Sequence, residues 1–351
     1  MKKLLDRIFI DGLSGMAQGL FATLIIGTII QQIGTFAGEN IGSMIYVLGK
    51  VAAGMTGAGI GVGVARKLDA GHLVTVSAGV VGMVGAFAGR LAAGEILVDG
   101  NLVLSGPGEP LGAFVAAYIA IELGILISGK TKLDILLTPL VCIGAGSAVG
   151  IFVGPPISRF MTWLGSLINW GTEQQPFLMG IVVSVLMGMI LTLPISSAAL
   201  GVILNLSGLA AGAATVGCCC NMVGFAVASW RENKFGGFLA QGIGTSMLQV
   251  PNIVRHPLIW LPAILSSAVL GPVGTMLFHM TNNATGSGMG TAGLVGPLMT
   301  WQVMTQTEPA TIVLLKIVVI QFILPAVVTL LISEFMRKKR WISYGDMKLE
   351  L

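Results

Sequence analysis

Uncharged polar side chains interrupt the apolar sequence in the second half of this chain. The longest such stretch, residues 278–301 (FHMTNNATGSGMGTAGLVGPLMTW), places Thr281, Asn282 and Asn283 among glycines, serines and threonines. Carboxamides both donate and accept hydrogen bonds, which is the chemistry that matches sugar hydroxyls. Each Gly costs a helix about 1 kcal/mol relative to Ala, so no continuous helix is expected. Because irregular backbone at membrane depth lines wet cavities or is buried in protein, the stretch predicts a binding site or pathway for a polar solute.

Other polar residues in this half extend the same chemistry. Single amides in membrane helices also bond to neighbouring helices, which is the structural alternative for each of them. His256 flanks an apolar run, where an interfacial role is favoured over a proton relay. Glu173 either accepts hydrogen bonds from a polyol or is a solvated loop acid, and the second reading is favoured. The residues predicted to bind solute are Asn205, Asn221, Gln241, Gln249, Thr281, Asn282, Asn283, His256 and Glu173.

Glu122 lies inside an apolar run (YIAIELGILI). An ionised carboxylate there costs several kcal/mol unless it is paired or hydrated. Two readings stay open. Glu122 is a proton-coupling or substrate group, or it makes a structural contact between helices.

Catalytic and metal-binding patterns are not found in the sequence. It has no GxxxxGK[ST] loop and no distinguishable Ser/His/Asp constellation. Cys218, Cys219 and Cys220 are consecutive in an apolar run, which favours packing over a reactive thiol. The cysteines also lack zinc-like spacing. We therefore predict no cofactor and no metal, and whether the chain takes part in an enzymatic reaction stays open.

The composition is that of an integral membrane protein. Of 351 residues, 54% are hydrophobic and only 10% are charged, with a mean hydropathy of +0.91. A soluble domain carries about 25% charged residues. The net charge of +4 is clustered at loops, so it indicates orientation and not nucleic-acid binding.

We predict an all-α polytopic fold with about ten crossings, re-entrant hairpins and one amphipathic surface helix. The run 196–229 is too long for one crossing and is read as a span followed by a hairpin. Spans are expected at roughly 13–33, 41–64, 72–93, 110–129, 133–154, 177–194, 236–250, 257–279 and 309–336. The predicted divisions are an N-terminal half (1–156), a surface helix (157–176), a C-terminal half (177–340) and a tail (341–351).

Lys and Arg residues predict the orientation in the membrane. The loop between Glu95 and Pro110 is acidic, which suits the outside. Both termini are then expected to be cytoplasmic, which requires an even number of crossings. The basic positions that support this are Lys2, Lys3, Arg7, Arg66, Lys67, Lys130, Lys132, Arg231, Lys234, Arg337, Lys338, Lys339 and Arg340.

The order of elements resembles that of enzyme IIC, the membrane component of bacterial sugar phosphotransferase systems. This order is five N-terminal spans, a surface helix and a half with broken spans. Within this family, the chain is similar to the PfoR-like group. The motifs that carry the resemblance are QPFLMG at 175–180, LPISSAAL at 193–200, GLAAGAA at 208–214 and HPLIWLP at 256–262.

The resemblance implies a homodimer in a bacterial cell membrane. The N-terminal half would form the dimer interface. Each C-terminal half would hold one sugar-like solute between re-entrant hairpins and alternate its access. Any phosphate is expected to come from separate IIA and IIB proteins.

One motif departs from the family pattern. Sugar-transporting relatives carry a Glu in a Gly-x-Thr-Glu-Pro motif, together with a His, near the hydroxyl that is phosphorylated. The nearest match here is Gly171-Thr172-Glu173, which is followed by Gln and lies before the sixth span. A PfoR-like sensor and a carrier that needs no phosphotransfer are therefore the alternatives to a phosphotransferase permease.

Overall fold

The computed structural model describes residues 7–98, 101–104 and 106–349. Lys2 and Lys3, which were used for orientation, lie outside the described residues. The chain divides into two compact units, Met1–Thr162 and Trp163–Leu351. The boundary falls inside a helix. The predicted division into 1–156, 157–176, 177–340 and 341–351 stays a prediction.

Unit 1 is built from helices that pack through small residues. Its elements in chain order are α1 (Arg7–Thr35), α2 (Glu39–Gly54), α3 (Thr56–Lys67), α4 (His72–Ala86), α5 (Ala88–Ala92), the antiparallel pair β1 (Leu97–Val98) and β2 (Asn101–Leu102), α6 (Pro110–Ile127) and α7 (Asp134–Thr172). α3 packs on α1, α4 and α6. A Cβ added to Gly19 would overlap the carbonyl of Gly59, so these two helices approach at backbone distance.

The predicted break at Gly154-Pro155-Pro156 is wrong, whereas the surface position of the segment 157–176 stays a prediction. The single helix α7 runs through Pro139, Pro155 and Pro156. A proline removes only its own N–H, and neighbouring groups in membrane proteins can satisfy the carbonyl that this frees. Helical spacing of apolar residues was read correctly on both sides of the prolines, but it does not show whether the two segments are joined.

Unit 2 surrounds one buried helix. Its elements after α7 are α8 (Pro176–Thr192), α9 (Ser197–Ile203), α10 (Gly208–Ala228), α11 (Trp230–Leu239), α12 (Val250–Arg255), α13 (Pro257–Leu277), α14 (Ala284–Ser287), α15 (Val295–Met304) and α16 (Ala310–Lys338). Every residue of α10 from Ala211 to Ala226 is buried, and α8, α13 and α16 pack around it. Gly217 makes the α8 contact possible, because a Cβ there would overlap the Ser184 carbonyl.

Two further span predictions need correction. The predicted span at 236–250 is not one helix, because Thr245 is extended (φ −158°, ψ 140°) between a π-helical turn and a 3₁₀ turn. The run 196–229 is interrupted near its beginning, where Asn205 and Gly208 have positive φ values of 48° and 56°. It therefore forms a short helix followed by a long one, the reverse of the expected order.

The chain is an all-α polytopic membrane protein. Within the described residues, six helices are long and apolar enough to cross a membrane, or seven if the bent pair α2 and α3 forms one span. The helices α4 and α8 are apolar but shorter. The number of ten crossings stays a prediction.

Glu122 takes part in an ion pair that joins the first and sixth helices. Arg7 Nε of α1 donates to Glu122 Oε1 of α6 at 2.6 Å. The two side chains are 37% and 32% exposed within the chain. The contact supports the structural reading of Glu122, because it joins elements 115 residues apart.

A double-mutant cycle tests this ion pair. Arg7→Gln should destabilise the solubilised protein more than Arg7→Gln/Glu122→Gln does, because the single variant leaves a carboxylate without its partner. We expect a coupling free energy of about 1 kcal/mol, since both side chains are partly exposed. Thermal unfolding in detergent measures it, and additive effects of the two single variants would contradict it.

Candidate functional site

The stretch 278–301 is interrupted, as its glycines predict. After α13 the chain is non-helical up to Asn283, with His279 at a φ of +47°. The single turn of α14 follows, and then Gly290 and Gly293, which both have positive φ. Asn282 N donates to the Gly208 carbonyl at 3.2 Å, so the stretch pairs with the beginning of α10.

Asn282 fastens this stretch to two helices. Its side chain is 1% exposed. Nδ2 lies 2.8 Å from Thr215 Oγ1 on α10 and 3.0 Å from Thr300 Oγ1 on α15, while Oδ1 accepts from Asn283 N. Gln321 Nε2 of α16 donates to the same Thr300 hydroxyl at 2.8 Å. The Asn282 carboxamide is therefore occupied by protein partners.

Asn283 retains hydrogen-bonding capacity. Its Oδ1 accepts from Gly286 N at 2.9 Å and so caps α14. Its Nδ2 is 3.5 Å from Met299 Sδ, and a thioether is a weak acceptor. Asn283 and Thr281 are half-buried and Thr285 is exposed. Of the polar side chains in the stretch, these three and the exposed His279 are the ones that are not buried.

The two interrupted segments of unit 2 meet at α9 and α14. Ser197 Oγ donates to the Gly288 carbonyl at 2.6 Å. A Cβ on Gly201 would overlap Ser287 Oγ, so the two short helices are in close contact. Asn205, at the end of the first segment, is exposed and adopts the left-handed conformation that Asn tolerates.

Asn221 lies in a second buried network. Its Oδ1 accepts from Trp260 Nε1 at 2.9 Å and from Thr192 Oγ1 at 3.1 Å. Its Nδ2 donates to the Gly217 carbonyl and to Ser267 Oγ. A carboxamide has two donors and two acceptor positions, and all four are used here. Asn221 therefore joins α8, α10 and α13.

Gln249 binds the C-terminal segment of the chain, and Gln241 bonds to Gln249. Gln249 Nε2 donates to Gln241 Oε1 at 2.7 Å and to the Met347 carbonyl at 3.0 Å. Asn252 Nδ2 donates to the Lys348 carbonyl at 2.9 Å. Sequence reasoning missed both Asn252 and the docked tail. The close spacing of Gln241, Gln249 and Asn252 indicates a polar cluster. It does not indicate the carbonyls that Gln249 and Asn252 bind, because these lie about a hundred residues away in the sequence.

The profile of the family described as "Phosphotransferase system, EIIC" matches residues 10–349. The chain belongs to this family. The match covers the motifs on which the resemblance rests, and it identifies a membrane component of phosphotransferase-system type. No curated protein matches the sequence.

The other predicted site residues of this enzyme IIC protein lie elsewhere. Glu173 is exposed just after α7, and His256 Nε2 is 3.7 Å from Asp346 Oδ1 in the tail. Cys218, Cys219 and Cys220 are buried in α10, as the packing reading predicts. Among the described residues, no group of three His, Cys, Asp or Glu side chains is placed to hold a metal ion.

Adjacent asparagines should respond differently to substitution. Asn282→Ala should lower the free energy of unfolding by about 2 kcal/mol or more, because it removes the buried hydrogen bonds to Thr215, Thr300 and Asn283 N. Asn283→Ser should change it by less than about 0.5 kcal/mol, because Ser also caps helices well. Thermal or denaturant unfolding in detergent compares the two. Equal effects would show that Asn282 does not fasten the stretch.

Proposed function

We propose that this enzyme IIC protein translocates a small neutral polar solute, a sugar or a polyol, by alternating access. The observation that supports this most strongly is the contact between the two interrupted segments through Ser197 and Gly288. Transporters bind their solutes where discontinuous helices expose backbone and side-chain polar groups. Unit 2 has two such segments. The second contacts the buried helix α10, and the first leads directly into it along the chain.

The proposed substrate class follows from the side chains that remain accessible. Thr281, Asn283 and Thr285 provide hydroxyls and a carboxamide, and the stretch 278–301 contains no Asp, Glu, Lys or Arg. A solute with several hydroxyls matches such donors and acceptors, whereas a charged solute would have no countercharge on the stretch.

The proposed phosphoryl donors are separate IIA and IIB proteins, as is general for the family. The exposed position of Glu173 favours a second candidate function. Because Glu173 is exposed and belongs to neither interrupted segment, it gives no support to phosphorylation of the solute at their contact. The second candidate is a carrier that releases unmodified solute, or a PfoR-like sensor that only binds it. Either one would use the same proposed solute site.

The proposed assembly is a homodimer in a bacterial cell membrane. Its N-terminal half (1–156) would form the interface, its C-terminal half (177–340) would carry the solute, and both termini would be cytoplasmic. The support is the family resemblance together with the basic residues at the predicted inner loops.

Uptake of labelled sugars and polyols into proteoliposomes tests the proposal. Parallel reactions contain or omit cytosolic phosphotransfer proteins and their phosphoryl donor. Phosphorylated product inside the vesicles is the expected result. Unmodified solute inside would establish the carrier, and saturable binding without uptake would establish the sensor. Neither binding nor uptake of any sugar or polyol would contradict a solute site of this class.

One variant pair localises the site. Asn283→Ser removes the carboxamide but keeps a helix cap, so it should weaken solute binding about fivefold, the value of one neutral hydrogen bond. Gln306→Ala removes an exposed carboxamide just beyond α15 and should leave binding unchanged. Equilibrium binding of labelled solute to purified protein measures both. Unchanged affinity in Asn283→Ser would remove Asn283 from the site.

A further inference from the structure

The tail residues 341–349 fold back onto unit 2 and pack there. Ile342 and Met347 are 2% and 0% exposed and lie in one core cluster with Phe225 of α10. Asn233 Nδ2 donates to the Met347 carbonyl at 2.8 Å, and its Oδ1 accepts from Leu349 N at 2.8 Å. The tail therefore has buried side chains and paired backbone groups, as the other elements of this unit have.

A buried ion pair holds the beginning of the tail. Arg337 Nη2 donates to Glu232 Oε1 at 2.8 Å, and the two side chains are 9% and 0% exposed. The same guanidinium donates to the Ala228 carbonyl at 3.1 Å and, through Nη1, to the Ser343 carbonyl at 3.4 Å. Gly345 N donates to Glu232 Oε1 at 3.4 Å. The pair thus joins α11, α16 and the tail.

The tail also supplies partners for the bent segment 240–249, which is extended at its middle and leads into α12. Gln249 Nε2 donates to the Met347 carbonyl at 3.0 Å and to Gln241 Oε1 at 2.7 Å. Asn252 Nδ2 donates to the carbonyl of the next tail residue at 2.9 Å and to Gln249 Oε1 at 2.8 Å. All three amide side chains are buried. Since a buried donor without an acceptor is unfavourable, the bent segment needs the docked tail.

The bent segment lies against the interrupted stretch 278–301. Thr291 Oγ1 of the stretch donates to the Gly242 carbonyl, and Thr291 is 0% exposed. The turns 240–244 and 292–294 are also in contact. Gly242 follows Gln241 directly, so the contact with the stretch is one residue away from the amide network that the tail completes.

We infer that the docked tail is a strap that restrains the stretch 278–301 around Thr291 by way of the bent segment. The contacts run without a gap from the Met347 carbonyl through two glutamines to Gly242 and Thr291. Undocking of the tail therefore loosens the bent segment and, with it, the stretch. By linkage, whatever stabilises the stretch also stabilises docking of the tail. The inference rests on the proposed function only in the role of the stretch as a solute site.

Hydrogen–deuterium exchange of two tail variants of the full-length protein in nanodiscs tests the strap. Met347→Ala removes a fully buried side chain, whereas Tyr344→Ala removes a side chain of the same segment that is 76% exposed. In Met347→Ala we expect exchange about tenfold faster in 240–249 and in 286–296, because opening of the tail releases both. Tyr344→Ala should exchange as the native protein does, and α4 and α6 of unit 1 should be unchanged in both variants.

A second tail variant keeps the buried side chains in place. Asn233→Ala removes the two hydrogen bonds to Met347 and Leu349 and should give the same pattern of faster exchange with a smaller amplitude. It therefore tests the strap even where Met347→Ala does not yield folded protein.

A double variant tests the route through Thr291. Thr291→Val keeps the shape of the side chain but removes the hydroxyl that donates to Gly242. Added to Thr291→Val, Met347→Ala should speed exchange in 240–249 but not further in 286–296. Native exchange of 286–296 in both Met347→Ala and Asn233→Ala, or additive effects in the double variant, would overturn the inference.

The exchange experiment contains no solute. A failed strap would leave uptake of sugars and polyols unaffected, and the absence of uptake would leave the exchange result standing. The two proposals therefore fail independently.

Discussion

Every backbone polar group at membrane depth needs a partner inside the protein, and unit 2 meets this requirement around α10. Its two interrupted segments cannot satisfy their own peptide groups, as a continuous helix would. The buried helix supplies partners instead. The Gly208 carbonyl accepts from Asn282 N, and Thr215 accepts from the Asn282 side chain. Since α10 is buried on all sides along most of its length, it positions the second segment.

The same requirement separates structural amides from those that are available to a ligand. Asn221 and Asn282 have no unused donor and hold helices together. Gln249 holds the tail, and Gln241 bonds to Gln249 and to Ser229. A solute could engage these four only by replacing a protein partner. Asn283 differs, because its cap uses the oxygen, while the partner of its Nδ2 group among the described residues is a weak sulfur acceptor.

Local sequence signals predicted the interruptions but not their partners. The glycines of 278–301 identified a broken segment, since positive φ values such as that of Gly290 favour Gly. Helical periodicity could not show that Pro155 lies inside one continuous helix, because the outcome depends on the surrounding packing. The docked tail was missed for the same reason. Its anchors, Asn252 and Met347, are distant in sequence and have no pattern in common.

The central claim is that α10 holds the interrupted stretch in place, and hydrogen–deuterium exchange of Thr215→Val tests it most directly. Valine keeps the shape of the side chain but removes the oxygen that accepts from Asn282. The account predicts faster deuterium uptake in residues 278–304 and unchanged uptake in α4 and α6 of unit 1. Identical uptake across 278–304 in the variant and the native protein would contradict it.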